Sequence, residues 1–215
     1  MYSGLYMAIQ NFFEGDLTMK WILASQSPRR RELFSLIAAD FEIRSPAFDE
    51  NSVTADTPKK LTMLLAQKKA ESIPRAEEKA VVGCDTVVAM GNEVLGKPEN
   101  REDAKRMLTL LSGKTHAVYT GVCILYREKK IIFAEQTDVT FFSLSNEEIE
   151  AYLDSEEPYD KAGAYGIQGK AALFVERISG DYYNVVGLPV ARLARTLCGE
   201  FRQEDTNIQK IGEKR

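Results

Sequence analysis

Residues 115–142 read THAVYTGVCILY, then REK, then KIIFAEQTDVTFF, and this stretch decides the fold class. Two runs rich in β-branched and aromatic residues, 115–126 and 130–142, are separated by the three polar residues 127–129. A connection this short joins antiparallel strands, because a parallel pair needs a crossover of a dozen or more residues. The stretch therefore predicts a long β-hairpin.

Outside this hairpin, strand and helix patterns alternate along the chain. Helix starts are marked by Ser27-Pro28, by Thr57-Pro58 and by a Ser145/Glu148 capping box. The patterns predict strands over 20–24, 81–90, 94–95 and 172–178, and helices that begin near residues 28, 58, 100, 146 and 189. Alternating elements around an antiparallel hairpin predict an α/β fold with a mixed β-sheet flanked by helices.

The composition is that of a globular domain. The chain has 215 residues, 44% of them hydrophobic, with 28 Lys+Arg against 32 Asp+Glu and a net charge of −4. This balance argues against disorder and against a nucleic-acid coat protein, which needs a basic face, so we expect no nucleic-acid partner. We expect one domain over 19–200, a loose extension over 1–18 and a polar tail over 201–215.

Several kinds of site are excluded by the rarity of histidine. His116 is the one histidine of the sequence, which argues against a Cys/His zinc cluster and rules out an HExxH motif. It lies in a strand-like segment, where a structural role is favoured over catalysis. The three cysteines fit reduced thiols, and no apolar run approaches 18 residues, so we expect a cytoplasmic protein that does not span a membrane.

Asp85 is the most informative single residue. It interrupts the apolar run AVVGCDTVV over 80–88, where an ionised carboxylate is costly unless it is paired, hydrogen-bonded or bound to a metal. A solvent-facing strand end and a structural ion pair are the alternatives to a catalytic role. Asp49-Glu50 places a second carboxylate in a loop, and a hard cation such as Mg²⁺ takes such oxygen ligands.

A candidate phosphate site lies at the first strand-to-helix junction, SQSPRRR over 25–31. Unpaired N–H groups at a helix start attract anions, and arginines bind phosphate oxygens in pairs of hydrogen bonds. An ordinary capped helix with a solvated basic turn is the alternative. By contrast, Gly113-Lys114-Thr115 imitates the end of a P-loop but lacks the glycine five positions earlier, so a helix stop is favoured.

Other candidates come from loops and helix margins. Lys69 lies at the edge of an apolar helix stripe, and Lys97 stands between Gly96 and Pro98. The glycine-punctuated loop DKAGAYGIQG over 160–169 contains Gln168, whose amide is able to hydrogen-bond a base edge. Solvated lysines and a plain glycine-rich turn are the alternatives for these residues.

Taken together, these segments resemble the Maf family of nucleoside triphosphate pyrophosphatases. The resemblance covers about residues 20–200 and is closest to the branch that hydrolyses dTTP and UTP. The segments that carry it are LASQSPRR (23–30), Asp49-Glu50, Lys69-Ala70, GCDTVV (83–88), LGKP (95–98), Leu111 to Gly113, DKAGAYGIQG (160–169) and NVVGLP (184–189).

The resemblance implies a Maf and ITPase-like fold with two lobes around a central cleft, and hydrolysis of a nucleoside triphosphate to the monophosphate and pyrophosphate. Asp85 would accept the proton of the attacking water, and with Glu50 it would hold a divalent cation, Mg²⁺ or Mn²⁺. Ser25, Arg29, Arg30, Lys69 and Lys97 would bind the triphosphate, and Arg29, Thr86 and Gln168 would set base specificity.

Two other functions stay open from the sequence. One is the same chemistry on 7-methyl-GTP, and the other is a nucleotide-binding regulator of septum formation that does not turn over its ligand. Members of the family often form homodimers, but no self-complementary patch is evident in this sequence.

Overall fold

The structure is a computed structural model that describes residues 20–74 and 78–199. The predictions for residues 1–18 and 201–215 lie outside the described residues. No disulfide joins the three cysteines, Cys84, Cys123 and Cys198, as the sequence predicts.

Within the described residues, seven strands form one mixed sheet in the order β2-β1-β3-β5-β6-β7, with β4 paired to β3. β1 runs parallel to β2 and to β3, and the other pairs are antiparallel. The strands are β1 Lys20–Ala24, β2 Phe41–Ile43, β3 Lys79–Met90, β4 Glu93–Leu95, β5 Thr115–Tyr126, β6 Lys129–Phe141 and β7 Val175–Ser179. The predicted fold class and the predicted hairpin are confirmed.

Helices flank the sheet, and their ends follow the capping residues. They are α1 Pro28–Phe34, α2 Pro58–Glu71, α3 Arg101–Leu111, α4 Asn146–Leu153, α5 Tyr182–Val186 and α6 over 190–199. Ser27, Thr57, Asn100 and Ser145 each accept a backbone N–H at the start of a helix. The Ser145/Glu148 capping box is present as predicted.

One prediction was wrong in part. Residues 172–178 were expected to form one strand, but Lys170–Phe174 is a 3-10 helix and the strand β7 starts at Val175. Ala171 and Phe174, three residues apart, are both buried, and this spacing suits a helical turn rather than the period of two in a strand. The short elements β2 and α5 were not predicted.

The alternation of side chains along β3 separates two parts of the core. Ala80, Val82 and Cys84 pack on the face covered by α1 and α6. Val81 packs on the opposite face, against Ala66 and Ala70 of α2. Because successive side chains point to opposite faces, Asp85 falls on the α2 face and Thr86 on the α1 face.

Candidate active site

The candidate site lies beside β3, at a gap between the strands that pair with one of its edges. β1 pairs with β3 as far as Ala24 opposite Gly83, and β4 joins the same edge only from Val88 opposite Leu95. Between these two pairings, residues 84–87 have no described strand beside them on this edge of β3. On the opposite edge they pair with β5. A cleft of about 1160 Å³ opens at this gap, and both Asp85 and Thr86 line it.

Helix α2 brings a lysine over Asp85. Gly83 has no side chain, so α2 lies against the strand there, and a Cβ at Gly83 would overlap the carbonyl of Ala66. One turn further along α2, Lys69 Nζ donates to Asp85 Oδ1 at 2.6 Å and lies 3.0 Å from Glu50 Oε1. Asp85 and Lys69 are buried, whereas the Glu50 side chain is 56% exposed.

Burial makes the Asp85 carboxyl more basic than an ordinary aspartate. Loss of hydration disfavours the carboxylate and raises the pKa of Asp85, although Lys69 and Arg30 act in the opposite direction. A carboxylate with a raised pKa, held in a cleft by a lysine, has the properties of a proton acceptor. This geometry excludes the alternative of a solvent-facing strand end.

Arg30 is held on the other side of the same strand. Its Nη2 donates to Thr86 Oγ1 at 2.9 Å and its Nε donates to the carbonyl of Gly187 at 2.8 Å. Ser25 is buried behind this arginine, 3.5 Å from Nη1, and accepts the N–H of Ser27 at 3.2 Å. The arginine is therefore fixed before any ligand arrives, while its other N–H groups stay available.

The structure brings the predicted residues to one cleft in two groups. Lys69 contacts both Asp85 and Glu50, and Arg30 contacts Thr86 on the opposite face of the strand. The remaining predicted residues line the walls of the cleft, and they are Arg29, Lys97 and Gln168. Ser25 reaches the site through Arg30.

The loop after α4 supplies cleft residues that were not singled out from the sequence. Glu157 and Lys161 both line the cleft. Lys161 Nζ donates to the carbonyl of Glu157 at 2.8 Å and to the carboxylate of Asp160. A Cβ at Gly166 would lie 2.7 Å from the Lys161 side chain, so the glycine makes room for the lysine. The regularly spaced glycines in 160–169 are the sequence feature that could have indicated this close packing.

Several carboxylates line the cleft, but the described residues do not group them into a ready metal site. Within 20–74 and 78–199, no three His, Cys, Asp or Glu side chains are grouped to hold a metal. Asp85 and Glu50 meet at one ammonium group and open onto the cleft. Two carboxylates in an open cleft fit a cation such as Mg²⁺, which keeps waters and takes further oxygens from phosphates.

The cleft of this α/β fold contains a buried carboxylate and several basic side chains. Such a site is typical of the class of proteins that bind a small anionic ligand. The chain belongs to the Maf family, since residues 20–200 match the family model described as "Maf-like protein". In the part of the chain that the structure describes, no helix is both long and apolar enough to traverse a membrane.

Curated relatives are similar to this chain over most of its length. A dTTP/UTP pyrophosphatase from Bacillus cereus is 51% identical over 190 residues, covering 88% of this chain and 97% of the relative. One of the same name from Bacillus cytotoxicus is 50% identical, covering 83% and 94%. Among solved structures, the Staphylococcus aureus Ham1 protein is 15% identical with a TM-score of 0.49, covering 84% of this chain and 99% of that chain.

Proposed function

We propose that this protein hydrolyses the triphosphates of pyrimidine nucleosides, dTTP and UTP, to the monophosphate and pyrophosphate. The observation that carries the proposal is the buried Asp85 carboxylate, held by Lys69 in a cleft that Arg30 enters from the other face of the strand. The relatives named dTTP/UTP pyrophosphatase, about half identical over 83% to 88% of this chain, support the substrate class.

Asp85 would act as the general base. It takes a proton from a water that attacks the α-phosphorus, while the bond from that phosphorus to the bridging oxygen breaks and pyrophosphate leaves. The burial that raises the pKa of Asp85 increases its affinity for that proton. Lys69 keeps the carboxylate oriented and ionised before the transfer.

The cations of the cleft would neutralise the triphosphate. Arg30 is already fixed by Gly187 and Thr86, so little ordering is needed when phosphate oxygens bind. Lys97 and Arg29 line the same cleft. Charge developing on the leaving pyrophosphate is thereby stabilised by groups positioned in advance.

A divalent cation, Mg²⁺ or Mn²⁺, would be held by Asp85 and Glu50. When bound, it would polarise phosphate oxygens and lower the charge of the triphosphate. Glu50 is free to adjust because it lies in a short 3-10 turn, Glu50–Ser52, and is largely exposed.

Pyrophosphate release from a panel of nucleotides tests the proposal. The panel contains dTTP, UTP, CTP, dATP, GTP and 7-methyl-GTP, each with Mg²⁺ or Mn²⁺. We expect release from dTTP and UTP, and a 10²- to 10⁴-fold lower kcat in Asp85→Asn, the range that a general base contributes. Asp56→Asn is the matched control, because Asp56 pairs with Lys60 on the surface.

The panel also separates the open alternatives. A higher rate of pyrophosphate release from 7-methyl-GTP than from dTTP and UTP would identify the protein as a 7-methyl-GTP pyrophosphatase instead. Nucleotide binding without pyrophosphate release from any substrate, or full activity in Asp85→Asn, would refute the proposed function.

A further inference from the structure

Behind Thr86 lies a buried chain of hydrogen bonds. Arg30 Nη2 lies 2.9 Å from Thr86 Oγ1, which lies 2.9 Å from Thr120 Oγ1 on the adjacent strand β5. Thr120 Oγ1 in turn lies 2.9 Å from the backbone carbonyl of Asn184 in α5. Thr120 is fully buried, whereas Thr86 is half-buried and lines the cleft.

The two ends of this chain determine the direction of each hydrogen bond in it. A guanidinium only donates and a carbonyl only accepts, so Arg30 donates to Thr86 and Thr120 donates to Asn184. Since a hydroxyl has one proton, Thr120 has none left for Thr86. Thr86 must therefore donate its own proton to Thr120.

Thr86, which lines the cleft, consequently has one free lone pair for a ligand and no proton left to donate to it. Its hydroxyl has two acceptor positions, of which Arg30 occupies one. The geometry leaves Thr86 as an acceptor toward any ligand, whereas an ordinary threonine could turn its hydroxyl to donate or to accept.

The backbone carbonyl of Asn184, which accepts the last of these hydrogen bonds, is itself held in place. Asn184 is fully buried, and its Nδ2 donates to the carbonyl of Val118 and to Thr137 Oγ1, both at 3.0 Å. Thr137 Oγ1 donates to the carbonyl of Asp181, the residue that caps α5. The carbonyl that receives the Thr120 proton therefore has little freedom to move away.

We propose that Thr120 is a positioning residue for base specificity, which holds the Thr86 hydroxyl as an acceptor for the N3–H of uracil or thymine. This inference rests on the proposed function. Uracil and thymine carry a donor at N3, whereas cytosine carries an acceptor there. An acceptor facing an acceptor leaves both unpaired where the bound base has displaced water, and a site of this kind rejects the mismatched ligand.

Replacing Thr120 by valine or by serine tests this inference. Thr120→Val keeps the shape but removes the oxygen, so the Thr86 proton is released and becomes free to turn toward N3 of cytosine. We expect the ratio of kcat/KM for UTP over CTP to fall about tenfold, the range of one neutral hydrogen bond. Thr120→Ser restores the hydroxyl and should keep the ratio within about twofold of wild type.

The ratio separates positioning from a general structural effect. A merely structural role for Thr120 would lower kcat/KM for UTP and CTP together and leave their ratio unchanged, and that result would overturn the inference. A loss of the ratio in Thr120→Ser as large as in Thr120→Val would overturn it as well.

Two measurements on the wild-type chain make the test independent of how the variants fold. Wild type should prefer UTP over CTP, and it should lose activity with the triphosphate of 3-methyluridine, in which the N3–H is replaced. Equal turnover of UTP and either analogue overturns the inference even though the proposed function stands. No hydrolysis of any triphosphate refutes the proposed function instead, and the preference for UTP over CTP is then measured by calorimetric binding.

Discussion

At the scale of single residues, Asp85 and Thr86 show how much adjacent positions differ in a strand. Asp85 points to α2, where burial raises its pKa and Lys69 provides the partner charge. Thr86 points to α1 and to the hydroxyl of Thr120. The period of two therefore separates an ionisable carboxyl group from a neutral hydroxyl, although both open onto one cleft.

His116 is the residue whose titration should be visible in stability. It is buried against Phe141 and Tyr165, and its Nε2 shares a hydrogen bond of 2.8 Å with the hydroxyl of Tyr165. Burial lowers the pKa of His116 to about 4, while Asp138 acts weakly in the opposite direction. The structural role favoured from the sequence fits these contacts, and Tyr165 in turn lines the cleft.

We expect the free energy of unfolding to fall as the pH drops from about 6.5 to about 4. In this window the unfolded chain binds a proton at His116 that the folded chain excludes, so acid favours unfolding by up to about 3 kcal/mol. Urea denaturation at a series of pH values measures the effect. His116→Gln should lack this component, because His116 is the sole histidine of the chain. Parallel curves for the two proteins would contradict the prediction.

At the scale of elements, the position of α2 depends on two glycines of the sheet. A Cβ at Gly83 would overlap the carbonyl of Ala66, and a Cβ at Gly121 would overlap that of Thr62. The helix therefore packs with its backbone directly on β3 and β5, which brings Lys69 within hydrogen-bond distance of Asp85.

Gly121→Ala should separate α2 from the sheet. We expect a loss of about 2–3 kcal/mol in the free energy of unfolding, because the new methyl group meets backbone atoms that cannot rotate away. We also expect a fall in kcat, since the displaced helix carries Lys69. Urea denaturation and steady-state kinetics measure the two effects.

The matched control is Gly199→Ala at the end of the described part of α6. A Cβ there meets nothing within 4 Å. This change should leave kcat unaltered and the stability unchanged or slightly higher. A Gly121→Ala protein as stable and active as this control would show that α2 is not held by the glycine contact.

The long elements could be predicted from sequence because each carries its own signal. Proline and capping residues mark the helix starts, and the three polar residues at 127–129 mark the hairpin. The strand β2 and the helix α5, with three and five residues, are too short to show a period. The strand β2 is stabilised by pairing with β1, and the helix α5 is stabilised by packing against β5 and β6.

The charged residues of the candidate site could be predicted from the sequence. An aspartate in an apolar run and arginines at a helix start stand out in any sequence. Thr120 and Asn184 did not, because a threonine in a strand is ordinary and these two residues meet across 64 positions of the chain. Only the folded structure shows that the Thr120 hydroxyl lies 2.9 Å from the Thr86 hydroxyl.

At the scale of the whole molecule, the net charge of −4 does not describe the cleft, whose walls contain five basic and five acidic side chains. These include the adjacent Arg29 and Arg30, together with Lys69 and Lys97, which come from three separate places in the sequence but line one cavity. Many of the acidic groups are instead paired on the surface, as Glu150 is with Arg101 and Lys105. Local charge, rather than net charge, therefore decides which ligand the molecule can hold.

Filling this cleft should stabilise the whole fold, because its walls come from α1, α2, β3, the loop at 157–169 and the end of α5. A UTP analogue with a methylene group between the α- and β-phosphorus binds without being cleaved. At 100 times its Kd, with Mg²⁺ present, it should add about 2.7 kcal/mol and raise the Tm by roughly 5–10 °C.

Lys97→Gln should lose a large part of this shift, since Lys97 lines the cleft and would contact the triphosphate. Lys114→Gln is the matched control, because Lys114 is an exposed lysine in the turn before β5 and outside the cleft walls. Differential scanning fluorimetry of the three proteins, with uridine as the ligand that lacks phosphates, measures the effect. An equal shift in both variants, or a shift with uridine as large as with the analogue, would show that the cleft cations do not hold the triphosphate.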